Sequence, residues 1–319
     1  MRRRGTPKYL EDGVLVANKA PGPTSHDVVE RLRRRFKPAK LGHCGTLDPF
    51  ANGVLVLAFN QATRLSSLLG ASTKVYQASL RLGRSTDTGD YTGETTEEAP
   101  VPPLSPGQVA QALAEIKGLH WQSPPAFSAA KHQGRPLYAY ARQGIKVDKP
   151  AKPITISEAE LVELDQDLIE FKVRCSQGTY IRSLGEDLAR SLDTHGHLEK
   201  LVRLESAPFT LEEAVDEKLA QDWTPEELSG AMLKPSQALA RCGVPAVSLN
   251  EDRVWQLRQG RILKREVLMS GQMAEGKDRG AFRVLSPQGE LVAVLRWLSP
   301  AEIRSGREYE TIRVFPERT

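Results

Sequence analysis

The apolar positions of this chain fall into short runs with two different periods. Val14-Leu15-Val16 is a compact β-prone run, closed by a Pro21-Gly22-Pro23 turn. Beyond the turn, Val28, Leu32 and Phe36 recur every four residues and predict the buried stripe of a helix. Thr24 stands at the N-cap position with Asp27 three residues on, the spacing of a capping box. Residues 53–59 are a continuous apolar run and read as a buried strand, and 62–69 as a short helix. Between 74 and 83, Val75, Gln77, Ser79 and Arg81 alternate with Tyr76, Ala78, Leu80 and Leu82, which predicts a half-buried strand. Residues 84–107 hold few large apolar residues and many turn formers, and read as a mobile loop. A helix is expected over 107–118, an alternating strand over 168–175 and an amphipathic helix over 180–192.

Strands and helices are mixed without regular βαβ spacing, which favours an α+β class over a doubly wound parallel sheet. Past residue 240 the composition shifts. Residues 279–298 read as a β-hairpin around Pro287-Gln288-Gly289, and 311–315 as a last strand. The expected organisation is therefore a domain over 1–240 and a compact, mostly β module over 241–319. Within the first, 123–144 is a Pro/Gly-bracketed insertion whose Lys131, His132, Arg135 and Arg142 interleave with Tyr138 and Tyr140. No 20–50-residue repeat is visible.

Charge sharpens this picture. The 319 residues carry a net charge of only +4, yet its distribution is uneven. Residues 1–84 hold 15 Lys+Arg against 5 Asp+Glu, residues 85–240 hold 15 against 25, and residues 241–319 hold 14 against 10. Two basic segments flanking an acidic middle suit a polyanion such as RNA, although solvated charge alone produces such patterns too. Arg31, Arg33, Arg34 and Arg35 crowd one helix, and a nearby phosphate backbone would relieve their repulsion. No apolar run reaches the ~18 residues of a membrane span. The basic stretch Met1–Leu10 lacks the apolar segment of a secretory signal. Cys44, Cys175 and Cys242 are odd in number and far apart, which argues for a reducing, cytoplasmic setting without a disulfide framework. With no CxxC pair, a structural zinc site is not expected, and His195 and His197 read as a surface pair.

The common catalytic signatures are missing: no phosphate-binding GxxxxGK[ST] loop, no GxSxG elbow, no HExxH. What stands out is Gly42–Pro49, "GHCGTLDP". His43 and Cys44 are neighbours, and neighbours in extended chain point to opposite faces, so they make a poor nucleophile pair. Asp48 precedes a proline, which holds it extended, and an apolar strand follows. That places a carboxylate at the rim of a rigid element; the same aspartate would serve equally as a turn former.

Five blocks in order carry a resemblance. "KLGHCGTLDPFANGVLVLAFNQATRL", "KVYQASLRLGRSTDTGDYTG", "PPAFSAAKHQGRPLYAYARQG", "CSQGTYIRSLGEDLA" and "LVRLESAPFTLEEA" resemble the TruB family, the bacterial tRNA pseudouridine-55 synthases. The resemblance implies a pseudouridine-synthase fold, a large mixed and mostly antiparallel sheet flanked by helices and loops, followed by a small PUA-like RNA-binding β-barrel. It implies that Asp48 is the catalytic aspartate and that Arg182 pairs with it. It further implies that Tyr76 packs against the target uracil, Tyr180 and Leu201 line its pocket, and His43 contacts the flipped-out RNA loop. Lys19, in "NKAPGPTS", falls in a block similar to the family's "DKPxGxTS" and is expected at the substrate. Residues 123–144 would clasp RNA. The implied activity converts uridine to pseudouridine in the T-loop of tRNA, in a monomer without cofactor, metal or protein partner. An arginine beside Asp48 would favour its ionised form.

The chain departs from the family pattern at several positions. Cys44 and Asn52 stand where Thr is usual, Asn18 replaces an Asp, and Val202, Glu205 and Ala207 replace Arg, Arg and Gly. Two other readings stay open: a non-catalytic RNA-folding factor on the same scaffold, and a glycosidase-type hydrolase. The latter needs two carboxylates flanking one bond, and no second acid sits in a comparable motif.

Overall fold

The computed structural model describes residues 10–269, 280–303 and 308–316; apart from Leu10, the basic start Met1–Leu10 lies outside them. The strands used below are β1 (Gly13–Lys19), β2 (Leu41–His43), β3 (Asn52–Phe59), β4 (Lys74–Leu82), β5 (Gly118–Gln122), β6 (Lys152–Asp165), β7 (Leu168–Cys175), β8 (Gly196–Ser206) and β9 (Val215–Asp216). They form a ten-stranded sheet whose main order is β9-β1-β3-β8-β4-β7-β6-β5, with β2 on β3 and the two-residue Phe209–Thr210 on β8. Pairing is antiparallel except for β1–β9 and β3–β8. A second sheet of four strands joins β10 (Ala246–Ser248), β11 (Ala281–Leu285), β12 (Leu291–Trp297) and β13 (Tyr309–Val314). The expected hairpin is β11–β12. Val294 of β12 packs into one apolar cluster with Val14, Val16, Val54 and Val56 of the large sheet.

Local signals place three helices well. Helix α1 (Ser25–Phe36) starts at Thr24, whose hydroxyl accepts from Asp27 N–H while the Asp27 carboxylate accepts in return. Helix α2 (Pro106–Glu115) has a second capping box at Ser105 and Gln108, and α3 (Ile181–Ser191) buries Ile181, Leu184 and Leu188 against the sheet.

Four expectations change. Strand β4 is not half-buried: Val75 and Ser79 are as buried as Tyr76 and Ala78, because β4 is central, flanked by β8 and β7. Residues 84–107 are not a bare loop; Arg84–Thr86 pairs with Thr95–Glu98, and Asp90 is buried between. His197 is fully buried, its Nδ1 3.1 Å from Arg84 O, so His195 and His197 are not a surface pair. Three of the α1 arginines have partners within the protein, at its surface. Arg31 meets the buried Glu217, Arg33 bonds Glu30 and Leu41 O, and Arg35 donates to Gln221 O and Trp223 O. Two carboxylates and three carbonyls thus ease the repulsion among Arg31, Arg33 and Arg35 without phosphate.

Candidate active site

Gly42–Pro49 leaves β2 and runs irregularly to β3, so its backbone polar groups need partners from outside a ladder. Cys44 N–H donates to Val56 O at 2.8 Å. Ser25, at the start of α1, accepts from Leu47 N–H at 2.8 Å and donates to Leu47 O at 3.1 Å. Gly22 N–H reaches Pro49 O at 2.8 Å. From below, the buried Arg203 of β8 donates to Val54 O (2.7 Å), Thr46 O (3.1 Å) and Gly45 O (3.2 Å). Lys19 completes the clamp, with Nζ bonded to Ala20 O (2.9 Å), Pro49 O (3.1 Å) and Ala51 O (2.7 Å).

This frame presents Asp48. Its carboxylate takes a bidentate grip from Arg182 of α3: Nε to Oδ2 at 2.9 Å and Nη2 to Oδ1 at 3.2 Å. The Arg182 side chain is 4% exposed and that of Asp48 31%, so the acid reaches solvent while its partner does not. Arg182 is itself fixed by Thr88 O, by Phe127 O at 2.8 Å, and by Asp90, whose Oδ2 lies 3.9 Å from Nε. A planar five-donor guanidinium can hold four such partners; an ammonium cannot.

Asp48 opens on a cleft of about 850 Å³ whose walls include His43, Tyr76, Tyr180 and Leu201. Tyr76 comes from β4 and Leu201 from β8, strands that pair directly. Tyr180 precedes α3; Gln122 of β5 holds its backbone, accepting from Tyr180 N–H at 2.7 Å and donating to Tyr180 O at 3.0 Å. Burial pushes the Tyr76 hydroxyl above its usual pKa. Burial, then Arg203, pushes the His43 imidazole below its own, and His43 Nδ1 is buried without a hydrogen-bond partner among the described residues. The Cys44 thiol is pushed up to about 12 by burial, so it is no nucleophile at neutral pH.

Five of the seven expected site residues thus line one cleft, and a sixth, Arg182, grips Asp48 from behind its wall. Lys19 does neither: it is fully buried, absent from the cleft wall, and all its donors go to backbone. In this structure its ammonium serves the carbonyls of Ala20, Pro49 and Ala51 rather than the cleft. Sequence reasoning missed Arg203, Asp90 and Lys74, a second buried lysine that lines the cleft. A basic residue amid the apolar positions of β8 was the available signal for Arg203.

Known proteins can now be set beside this geometry. Residues 33–181 match the TruB family pseudouridylate synthase (N terminal domain). The chain is 42% identical over 256 residues to tRNA pseudouridine synthase B of Aromatoleum aromaticum, covering 80% of this chain and 82% of that one. It is 38% identical over 301 residues to the protein of the same name from Corynebacterium diphtheriae, covering 92% and 98%. The chain belongs to the TruB family. TruB membership accounts for the five blocks seen in the sequence. A chain of a Cbf5-Nop10-Gar1 complex shares the fold, with a TM-score of 0.73 at 24% identity, covering 96% of this TruB-family chain and 85% of its own.

Proposed function

We propose that this chain isomerises uridine to pseudouridine at position 55 in the T-loop of tRNA, with Asp48 as the sole catalytic carboxylate. The observation that carries the reading is Asp48 held bidentately by Arg182 at the edge of a cleft walled by Tyr76, Tyr180 and Leu201. The reaction breaks N1–C1′, turns the base, and joins C5 to C1′. Every atom of the product comes from the substrate except the proton that arrives at N1, and the proton on C5 is lost to solvent. An ionised carboxylate can add to C1′ or take a proton from the sugar, and both uses need one exposed oxygen on a clamped group. The apolar and aromatic walls would keep the detached base in place. Extracting it from the folded RNA costs a few kcal/mol, which stacking on side chains such as His43 would offset.

In the same reading, residues 123–144 clasp the T-arm, presenting Arg135 over Tyr140 and Arg142 over Tyr138 as cation–π pairs. Residues 241–319 form a PUA-like RNA-binding domain, and the protein works as a cytoplasmic monomer. No described helix is long and apolar enough to cross a membrane. Lys19 acts as a positioning residue for the Asp48 loop. Asp90 favours this reading over a two-carboxylate hydrolase: it lies behind Arg182, outside the cleft wall, with Oδ1 taken by Thr92 N–H (3.0 Å) and the Thr88 hydroxyl (3.1 Å). A pure RNA-folding factor would gain nothing from a carboxylate held this way.

The test uses unmodified tRNA tritiated at uridine C5, incubated with wild type and with Asp48→Asn. Wild type should release tritium and the variant should not, while still binding tRNA. Mapping the product by carbodiimide adducts and primer extension should place the change at position 55. No release by wild type refutes the enzyme; equal release by Asp48→Asn refutes the role of Asp48.

A further inference from the structure

The mechanism leaves a buried cation in the cleft wall without a task. Lys74 opens β4 two residues before Tyr76, on the same strand face, and is 5% exposed. It lines the cleft together with Tyr76 and Leu201. Its Nζ has two long contacts, Gly70 O at 3.2 Å and Ser72 Oγ at 3.5 Å. The ionisable groups that weigh most on it are Arg203, of like charge, and the thiols of Cys44, Cys175 and Cys242. None is a carboxylate. Burial, then Arg203, lowers its pKa to about 8, so at pH 7 it remains mostly protonated, with no carboxylate in ion-pair contact among the described residues. A desolvated cation left unpaired is costly, and an anion arriving in the cleft would remove that cost.

The position of Lys74 limits what the anion can be. Phosphates of an extruded nucleotide stay with the RNA backbone at the cleft mouth, while the base goes to the wall. Two residues along a strand span roughly 7 Å, about a pyrimidine ring plus one hydrogen bond. A base packed on Tyr76 therefore brings a ring carbonyl within reach of Nζ. We infer that Lys74 is a second catalytic residue, whose ammonium donates to a carbonyl oxygen of the target uracil and stabilises the charge that oxygen gains as N1–C1′ breaks. The bonding pair leaves with N1 and spreads onto O2 and O4. C1′ is satisfied by an Asp48 oxygen or by loss of a sugar proton to it. When C5 joins C1′, the pair returns to carbon and the C5 proton is lost. The inference rests on the proposed pseudouridine synthase reading.

The experiment compares full-length wild type, Lys74→Met and Lys74→Arg on C5-tritiated tRNA. It measures the single-turnover release rate at saturating enzyme, tRNA affinity across a salt series, and Tm. Lys74→Met should slow release by about 10²–10³-fold, the usual loss for one preorganised donor to a developing oxyanion. Its affinity and salt slope should stay at wild-type values, and Lys74→Arg should recover part of the rate. An unchanged rate with weaker binding and a salt slope reduced by about 1 would assign Lys74 to a phosphate and overturn the inference. A rate loss that tracks Tm in both variants would overturn it in favour of packing. If wild type releases nothing, the reading of the site fails first and takes this inference with it; release by wild type with an unimpaired Lys74→Met sinks this inference alone.

Discussion

Removing Arg182 should cost stability as well as turnover, and the geometry says how much. Arg182→Ala strips Asp48 of both its bonds, leaves Asp90 buried without its cation, and orphans the carbonyls of Thr88 and Phe127. Two unit charges 4 Å apart attract by about 4 kcal/mol at an effective dielectric of 20. Asp48 is partly exposed and can rehydrate, which recovers part of that. Breaking a buried pair by removing one partner typically costs about 3–5 kcal/mol, and this pair belongs near the lower figure. A double-mutant cycle with Asp48→Asn isolates the direct term. Charged hydrogen bonds contribute about 1.5–3 kcal/mol, so Arg182→Ala should cost about 2 kcal/mol less when Asp48 is already Asn. Urea unfolding of wild type, both single variants and the double variant measures it. Arg182→Lys should keep the charge but lose the fork, slowing single-turnover tritium release by about 10–100-fold. Additive stability effects, or a single-variant cost under about 1 kcal/mol, would show that Arg182 does not hold Asp48 as its geometry implies.

Three further outcomes follow from the site's frame. Gly53→Ala should lower Tm sharply: Gly53 has φ +109°, and a Cβ there would sit 2.3 Å from Arg203 O and 2.8 Å from Arg203 N, backbone atoms that cannot move aside; an unchanged Tm contradicts the close approach. Cys44→Ser should turn over at the wild-type rate, and the wild-type thiol should resist iodoacetamide at neutral pH, because its pKa is pushed up to about 12; rapid alkylation with loss of activity would reopen it as a nucleophile. Stability should rise between pH 8 and 9: Lys19 and Lys74 have folded pKa values near 8 against 10.5, so the unfolded chain holds more protons there. Above pH 9 the gain should level off or reverse, as Cys44 (about 12) and Cys175 (about 11) keep protons that unfolded thiols lose; a urea midpoint falling steadily from pH 8 to 9 would refute the lysine shifts.

What could be read from the sequence was whatever a few neighbouring residues decide. The Thr24–Asp27 capping box, the alternation of β7 and the apolar run of β3 need no distant partner to be recognised. Strand β4 shows the limit. Its Gln77 and Ser79 look like a solvent face, yet both contact Glu170 of β7 across the sheet, and Ser79 is buried there. Only the strand order decides that burial, and no period in β4 encodes the order. Strands β6 and β8 went unread for a related reason: each mixes charges among its apolar positions and is broken by bulges that interrupt the period.

The site divides along the same line. Asp48, Tyr76, Tyr180 and Arg182 sit in blocks whose local pattern is specific, while Lys19 was expected at the substrate and Lys74 and Arg203 were not singled out. Their burial follows from the shape of Gly42–Pro49. A loop that must project one carboxylate cannot run as a strand, so its carbonyls lose the ladder that β2 and β3 enjoy. Donors must then come from side chains long enough to reach in from neighbouring strands, and lysine and arginine are the long donors available. Arg203 bonds Gly45 O and Thr46 O of the loop and Val54 O beyond it, and Lys19 bonds Pro49 O with Ala20 O and Ala51 O beside it, so hydrogen-bond demand in and around the loop accounts for both. Lys74 is the exception, since its two long contacts leave that demand unexplained. A cation buried beyond what the frame requires points to the substrate, and for that reason the release rate of Lys74→Met tests more than the role of one side chain.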